Sequence, residues 1–272
     1  MTDVIVQMFS FSFIQRAIIV GLLVCLCCAL LGVCLVLKRY SMIGDGLSHV
    51  GFGAMAVAAA LNAAPLAVAV PTVIVAAFLL LRINNSGRLK GDSAIAVIST
   101  GSLAVGIIVL SVSKGMNTDV YNYMFGSILS MSSADVWISI VLSATVIVLF
   151  FIFYHHIFLV VFDENFAKAT GINVDLFNML IAVLTAVTVV LGMRMMGAML
   201  ISALIIFPAL SSMAIFKTYR SVVTSSVIIS VFAFLSGLFI SYVYALPTGA
   251  SIVTVNLFIF ILLSLSGFIK NR

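Results

Sequence analysis

Charge is what this sequence has least of. Asp, Glu, Lys and Arg make up 8% of its 272 residues, against 64% apolar residues. A soluble domain carries about 25% charged residues. No globular surface can be built from so few, so the chain is not a soluble enzyme. Its excess apolar surface must face lipid, where only segments that satisfy their own backbone hydrogen bonds persist. Signatures of catalysis are missing too. There is no GxxxxGK[ST] phosphate loop, so ATP is not bound and hydrolysed here by that route. There is no HExxH zinc-protease segment and no serine in a recognisable nucleophile context. The first apolar stretch has no basic n-region before it and exceeds the core of a signal peptide, so it is expected to remain as a helix. Low-complexity segments and internal repeats are absent.

Cysteine is sparse and confined. Cys25, Cys27, Cys28 and Cys34 all lie in the first apolar stretch. Neighbours on one helix rarely meet disulfide geometry. Cys25 and Cys28 share a helical face, yet the set reads as small, polarizable packing residues rather than a thiolate metal site.

What is present is a series of apolar runs, at 13–37, 43–62, 65–81, 94–113, 134–154, 174–193, 196–216, 221–244 and 249–268. A spanning helix needs roughly 20 residues. The fold class is therefore all-α: a polytopic membrane helical bundle of eight to nine transmembrane helices, with one segment allowed to be a half-helix. Residues 1–272 form a single transmembrane domain. The net charge of +5 and pI near 9.2 come from Lys and Arg clusters between the runs. That pattern sets topology and makes no nucleic-acid groove. With the N-terminus outside and the C-terminus inside, ten basic residues face the cytoplasm, among them Lys38, Arg39, Arg82 and Arg220. Only Arg16, Lys114 and Arg194 fall outside, the bias expected of this orientation. Arg194 is expected to snorkel at the outer interface.

Two connecting stretches are unusual. Residues 117–133 (NTDVYNYMFGSILSMSS) are too polar to span and too apolar for a plain loop, which suits a short outer helix. Asp135 complements the dipole of the helix that follows. Residues 162–175 (FDENFAKATGINVD) read as a short cytoplasmic helix ended by Gly171. It is either a plain connection or a docking element for a soluble partner. Glycine and serine inside the apolar runs allow close helix approach.

Ionisable groups within a membrane are costly and usually mark a site. In SMIGDGLSHVGFG (41–53), Asp45 and His49 lie four apart, on one helical face. A carboxylate and an imidazole together suit zinc, manganese or iron. The same pair also reads as a helix-start acid beside a packed histidine, or as a proton relay. His155 and His156 are adjacent, point about 100° apart, and read as an interfacial pair.

These segments, taken in order, resemble the membrane permeases of bacterial ABC importers for zinc and manganese, the zinc/manganese/iron permease family. The likeness runs along nearly the whole chain. FIQRAIIVGLLVCLCCALLGVCLVLKRYSMIGDGLSHVGFGA is similar to the family's opening helix, basic turn and G-D-A-x-S-H segment. YMFGSIL followed by Asp135, FDENFAKATGI, and GAMLISALIIFPALSSMAIF with Pro208 resemble its later segments. Gly46 stands where the family often has Ala, which should loosen the helix slightly. The resemblance implies that Asp45 and His49 contact the metal in the translocation path. It also implies that Phe162, Asp163, Glu164, Phe166, Ala167 and Gly171 form the coupling helix that docks on the ATPase. The implied assembly is two copies of this subunit, two cytoplasmic ABC ATPase subunits and an extracellular metal-binding protein, in the bacterial cell membrane. The implied substrate is Zn2+ or Mn2+, with zinc favoured, carried by alternating access with no permanently bound cofactor. An ion-coupled secondary carrier needing no ATPase is the rival reading.

Overall fold

The computed structural model describes residues 11–85, 91–113, 126, 132–198 and 200–270. Among these residues the chain forms eleven helices and no strand. They are α1 (Ser12–Leu37), α2 (Ile43–Ala60), α3 (Pro65–Asn85), α4 (Gly91–Val112), α5 (Ser133–Ile152) and α6 (Tyr154–Phe162), then α7 (Glu164–Ala169), α8 (Val174–Met196), α9 (Ile201–Ile215), α10 (Tyr219–Tyr244) and α11 (Thr248–Lys270). Each of the nine apolar runs has become a helix. Seven are long and apolar enough to cross a membrane: α1, α3, α4, α5, α8, α10 and α11. The expected outer helix over 117–133 lies outside the described residues, apart from Gly126, Ser132 and Ser133.

Burial sorts the helices into a centre and a rim. The apolar windows of α1 and α8 are each 72% buried, whereas those of α4 and α11 are 11% and 17% buried. In lipid, apolar burial does not by itself draw helices together; close packing and small residues do. Gly32 on α1 shows this: a Cβ there would lie 2.1 Å from the Ile205 carbonyl oxygen on α9. A Cβ on Gly53 of α2 would lie 2.6 Å from the Ser102 carbonyl oxygen of α4. Serines add cross-helix bonds. Ser230 and Ser226 on α10 donate to the carbonyls of Cys25 (3.2 Å) and Ala29 (3.4 Å) on α1. The four cysteines of α1 are buried, free thiols, with Cys27 turned toward the Ser143 carbonyl of α5.

The connection from α8 to α9 positions the site. The run expected at 196–216 starts later, because α8 continues to Met196 and Gly197 turns the chain at φ 89. Only glycine adopts that backbone readily. α9 then has 15 residues, about 22 Å of helix against a hydrocarbon core of roughly 30 Å. It begins inside the bundle, since a Cβ on Gly192 would meet Ile201 at 2.1 Å and Val24, halfway along α1, at 3.2 Å. Gly126 rests on this corner, its Cα hydrogens facing the backbone of Met195, Met196 and Gly197.

Candidate metal path and coupling segment

α2 starts directly after a tight turn, in which Tyr40 N–H donates to the Leu35 carbonyl and Arg39 takes φ 60. Asp45 sits in its first turn, where a carboxylate favours the positive end of the helix dipole. His49 follows one turn later. Asp45 Oδ2 and His49 Nε2 are 3.6 Å apart, with side chains 41% and 19% exposed. That gap is long for a hydrogen bond. It matches two ligands on one ion, since atoms each about 2.1 Å from a metal lie roughly 3 to 3.6 Å apart. His49 Nδ1 is buried without a hydrogen-bond partner among the described residues. Ser48 turns away from the pair and donates to the Asp45 carbonyl at 2.8 Å.

A third oxygen joins from a distant part of the chain. Ser202, in the first turn of α9, donates to Asp45 Oδ1 at 3.3 Å. The sequence offered no pointer to it, because one serine in an apolar run is ordinary. Its position follows from the Gly197 turn and the short α9. Among the described residues no third His, Cys, Asp or Glu completes a metal-binding group with Asp45 and His49. Among the described residues, one chain thus sets two candidate ligands side by side, with Ser202 hydrogen-bonded to one of them. Gly46 has a packing role beside its propensity cost: a Cβ there would lie 2.6 Å from Ile95 Cγ2 of α4.

The expected cytoplasmic segment folds as α7. Asp163 caps it, accepting from the backbone N–H groups of Asn165 (2.9 Å) and Phe166 (3.0 Å). Gly171 (φ 84) ends it: Ile172 N–H donates to the Ala167 carbonyl and Gly171 N–H to that of Lys168, the paired bonds of a Schellman motif. Ala167 is fully buried as the seat of the helix, while Phe162 and Phe166 are 65% and 55% exposed. Glu164 ties α7 to the end of α1, accepting from Lys38 Nζ at 2.6 Å. Asn178 of α8 hydrogen-bonds both partners. Burial alone would raise the Glu164 carboxyl. The hydrogen bond and charge of Lys38, with Asn178 and Lys168, outweigh it and hold the group below its ordinary range.

Arg194 does not snorkel. Its Nη2 donates to Asp135 Oδ2 at 2.6 Å, with side chains 8% and 13% exposed. Asp135 also forms a capping box with Ser132 at the start of α5. A charge at a helix end found a buried counter-charge instead of the interface. His156 stacks on Phe177 at 5.1 Å and His155 meets the Tyr154 ring edge-on at 5.7 Å, so the two histidines have separate partners.

The model of the ABC 3 transport family matches residues 10–267. The manganese import system permease protein ScaB of Streptococcus gordonii is 30% identical over 93% of this chain and 90% of its own length. The manganese transport system membrane protein MntC of Listeria monocytogenes is 30% identical over 92% of this chain and 89% of its own. Among solved structures, PsaBC from Streptococcus pneumoniae in complex with Fab superposes with a TM-score of 0.87 at 29% identity, covering 96% of this chain and 94% of that one.

Proposed function

The chain belongs to the ABC 3 transport family, a multi-pass protein of the bacterial cell membrane, and from that premise we propose that it is the permease of an ATP-driven importer of divalent transition metal ions, manganese before zinc. The observation that carries the reading is the 3.6 Å gap between Asp45 Oδ2 and His49 Nε2. It is too wide for a good hydrogen bond and fits one bridging ion. The order of metals reverses the lean of the sequence toward zinc. Several relatives carry manganese in their names, and Asp45 with Ser202 sets oxygen donors beside one imidazole, a mixture manganese accepts.

Two ligands from each of two copies would make a four-ligand site on a two-fold axis. The extracellular binding protein delivers the ion there, and the N-terminus lies outside. On the cytoplasmic side, Phe162 and Phe166 offer exposed aromatic anchors to an ATPase subunit. Asp163, Ala167 and Gly171 hold α7, which presents Phe166, while Phe162 ends α6 just before it, and Glu164 links α7 through Lys38 to the turn that launches α2. ATP-driven movement of α7 thereby reaches the helix carrying Asp45 and His49. No resident cofactor is required.

The test is the metal content of cells lacking this protein, complemented with wild type or His49→Ala, under manganese limitation and separately under zinc limitation. Wild type restores cellular manganese and His49→Ala does not, at equal membrane expression. Restoration of zinc alone overturns the metal order. Full restoration by His49→Ala overturns the site. Uptake that persists when ATP hydrolysis is blocked would favour the ion-coupled carrier.

A further inference from the structure

On the flank of the bundle, α5, α6 and α10 leave a groove of about 1060 Å³ over α1. Its floor is Leu30, and its walls are Phe151, Val223, Val227 and Ile228. One end is different: Tyr154, Tyr219 and Arg220 close it. The two tyrosine rings lie 5.5 Å apart. Arg220 is exposed and forms no salt bridge among the described residues. An apolar trough that ends in aromatic rings and a free cation matches an acyl chain that ends in a phosphate. We propose that this groove binds an anionic phospholipid, its chain along Leu30 and Ile228 and its phosphate on Arg220. The positive-inside bias puts Arg220 on the cytoplasmic side, where basic pockets between membrane helices take anionic headgroups.

A second copy of the chain does not suit the groove. Leu30 and Gly32 are two residues apart on α1, about 200° around the helix. Gly32 packs on Ile205 of α9, which Gly44 also reaches, and the neighbouring Asp45 meets Ser202 one turn earlier on that same face of α9. A two-fold axis through Asp45 therefore leaves the groove on the opposite flank, facing lipid. This exclusion rests on the proposed dimer; the charge complementarity of the groove does not.

The test uses the full chain with Trp137→Phe, which removes its single tryptophan, and Ile228→Trp as the reporter. The protein is reconstituted in vesicles containing brominated phosphatidylglycerol or brominated phosphatidylcholine. The expected result is a preference of about fivefold for the anionic lipid in quenching, the factor one basic residue near a membrane surface supplies. Arg220→Gln brings that ratio to about one while the size-exclusion profile stays unchanged. Equal quenching by both lipids with Arg220 in place reduces the groove to ordinary lipid-facing surface and overturns the proposal. So does a preference that survives Arg220→Gln, or an absence of quenching, which would mean that protein covers the groove. Metal uptake is not read, so failure here leaves the permease reading standing.

Discussion

Asp45 and Arg194 show two solutions to a charged group in an apolar surround. Asp45 keeps some access, with its carboxylate held by Ser202 and set opposite His49. Arg194 is closed in with Asp135. Removing one partner of a buried pair costs about 3–5 kcal/mol, because the other charge is left uncompensated. Arg194→Leu should therefore lower the yield of folded protein and its melting temperature, read by size-exclusion chromatography after heating. Arg194→Leu with Asp135→Asn should recover part of the loss, since no charge is left uncompensated and the Asn amide oxygen can still accept from the Ser132 N–H. Equal behaviour of single and double variants would show that the pair carries no such energy. At the other site, Ser202→Ala removes one oxygen without touching either proposed ligand. It should weaken metal uptake less than Asp45→Ala or His49→Ala, measured as manganese uptake into vesicles holding the complex. Spacing alone made the Asp45–His49 pair legible, whereas Ser202 lies 157 residues from Asp45 in the chain and no local pattern marks it.

The helices divide according to what holds them. α7, six residues long, is too short to persist alone. It survives through the Asp163 cap, the Gly171 turn, the buried Ala167 and the Lys38–Glu164 pair. Lys38→Met should leave the complex able to assemble yet lower metal transported per ATP hydrolysed; an unchanged ratio would deny the pair a part in coupling. The pair also sets a pH dependence. The folded Glu164 carboxyl lies below the ordinary 4.5, so its stabilisation is complete above that value and fades as pH falls through the folded value. The difference in stability between wild type and Glu164→Gln should be flat down to about pH 4.5 and shrink below it. It should be no more than about 1 kcal/mol, since Glu164 is nearly half exposed. α2 depends instead on small residues. Gly53→Val would push side-chain atoms into the Ser102 carbonyl of α4, and overpacking of this kind costs about 1–3 kcal/mol. A fall in thermal stability with little change in membrane insertion is the expected result.

For the whole molecule, the proposed sharing of Asp45 and His49 between two copies makes stoichiometry the deciding quantity. Purified importer should hold one manganese ion per two permease chains and none with His49→Ala, measured by elemental analysis after gel filtration. One ion per chain would contradict a site on the two-fold axis. The nine apolar runs and their helical state were determined by the sequence alone, because a backbone in lipid must satisfy its own hydrogen bonds and hydropathy records that demand residue by residue. The short α7 was likewise legible, through an acid at one end and a glycine at the other. Tertiary structure decided the rest. It shortened the run at 196–216 by turning at Gly197, paired Arg194 with Asp135 across 59 residues, and joined Lys38 to Glu164 across 126. Helix formation is driven by near neighbours, whereas which buried charge meets which is set by how finished helices pack against one another.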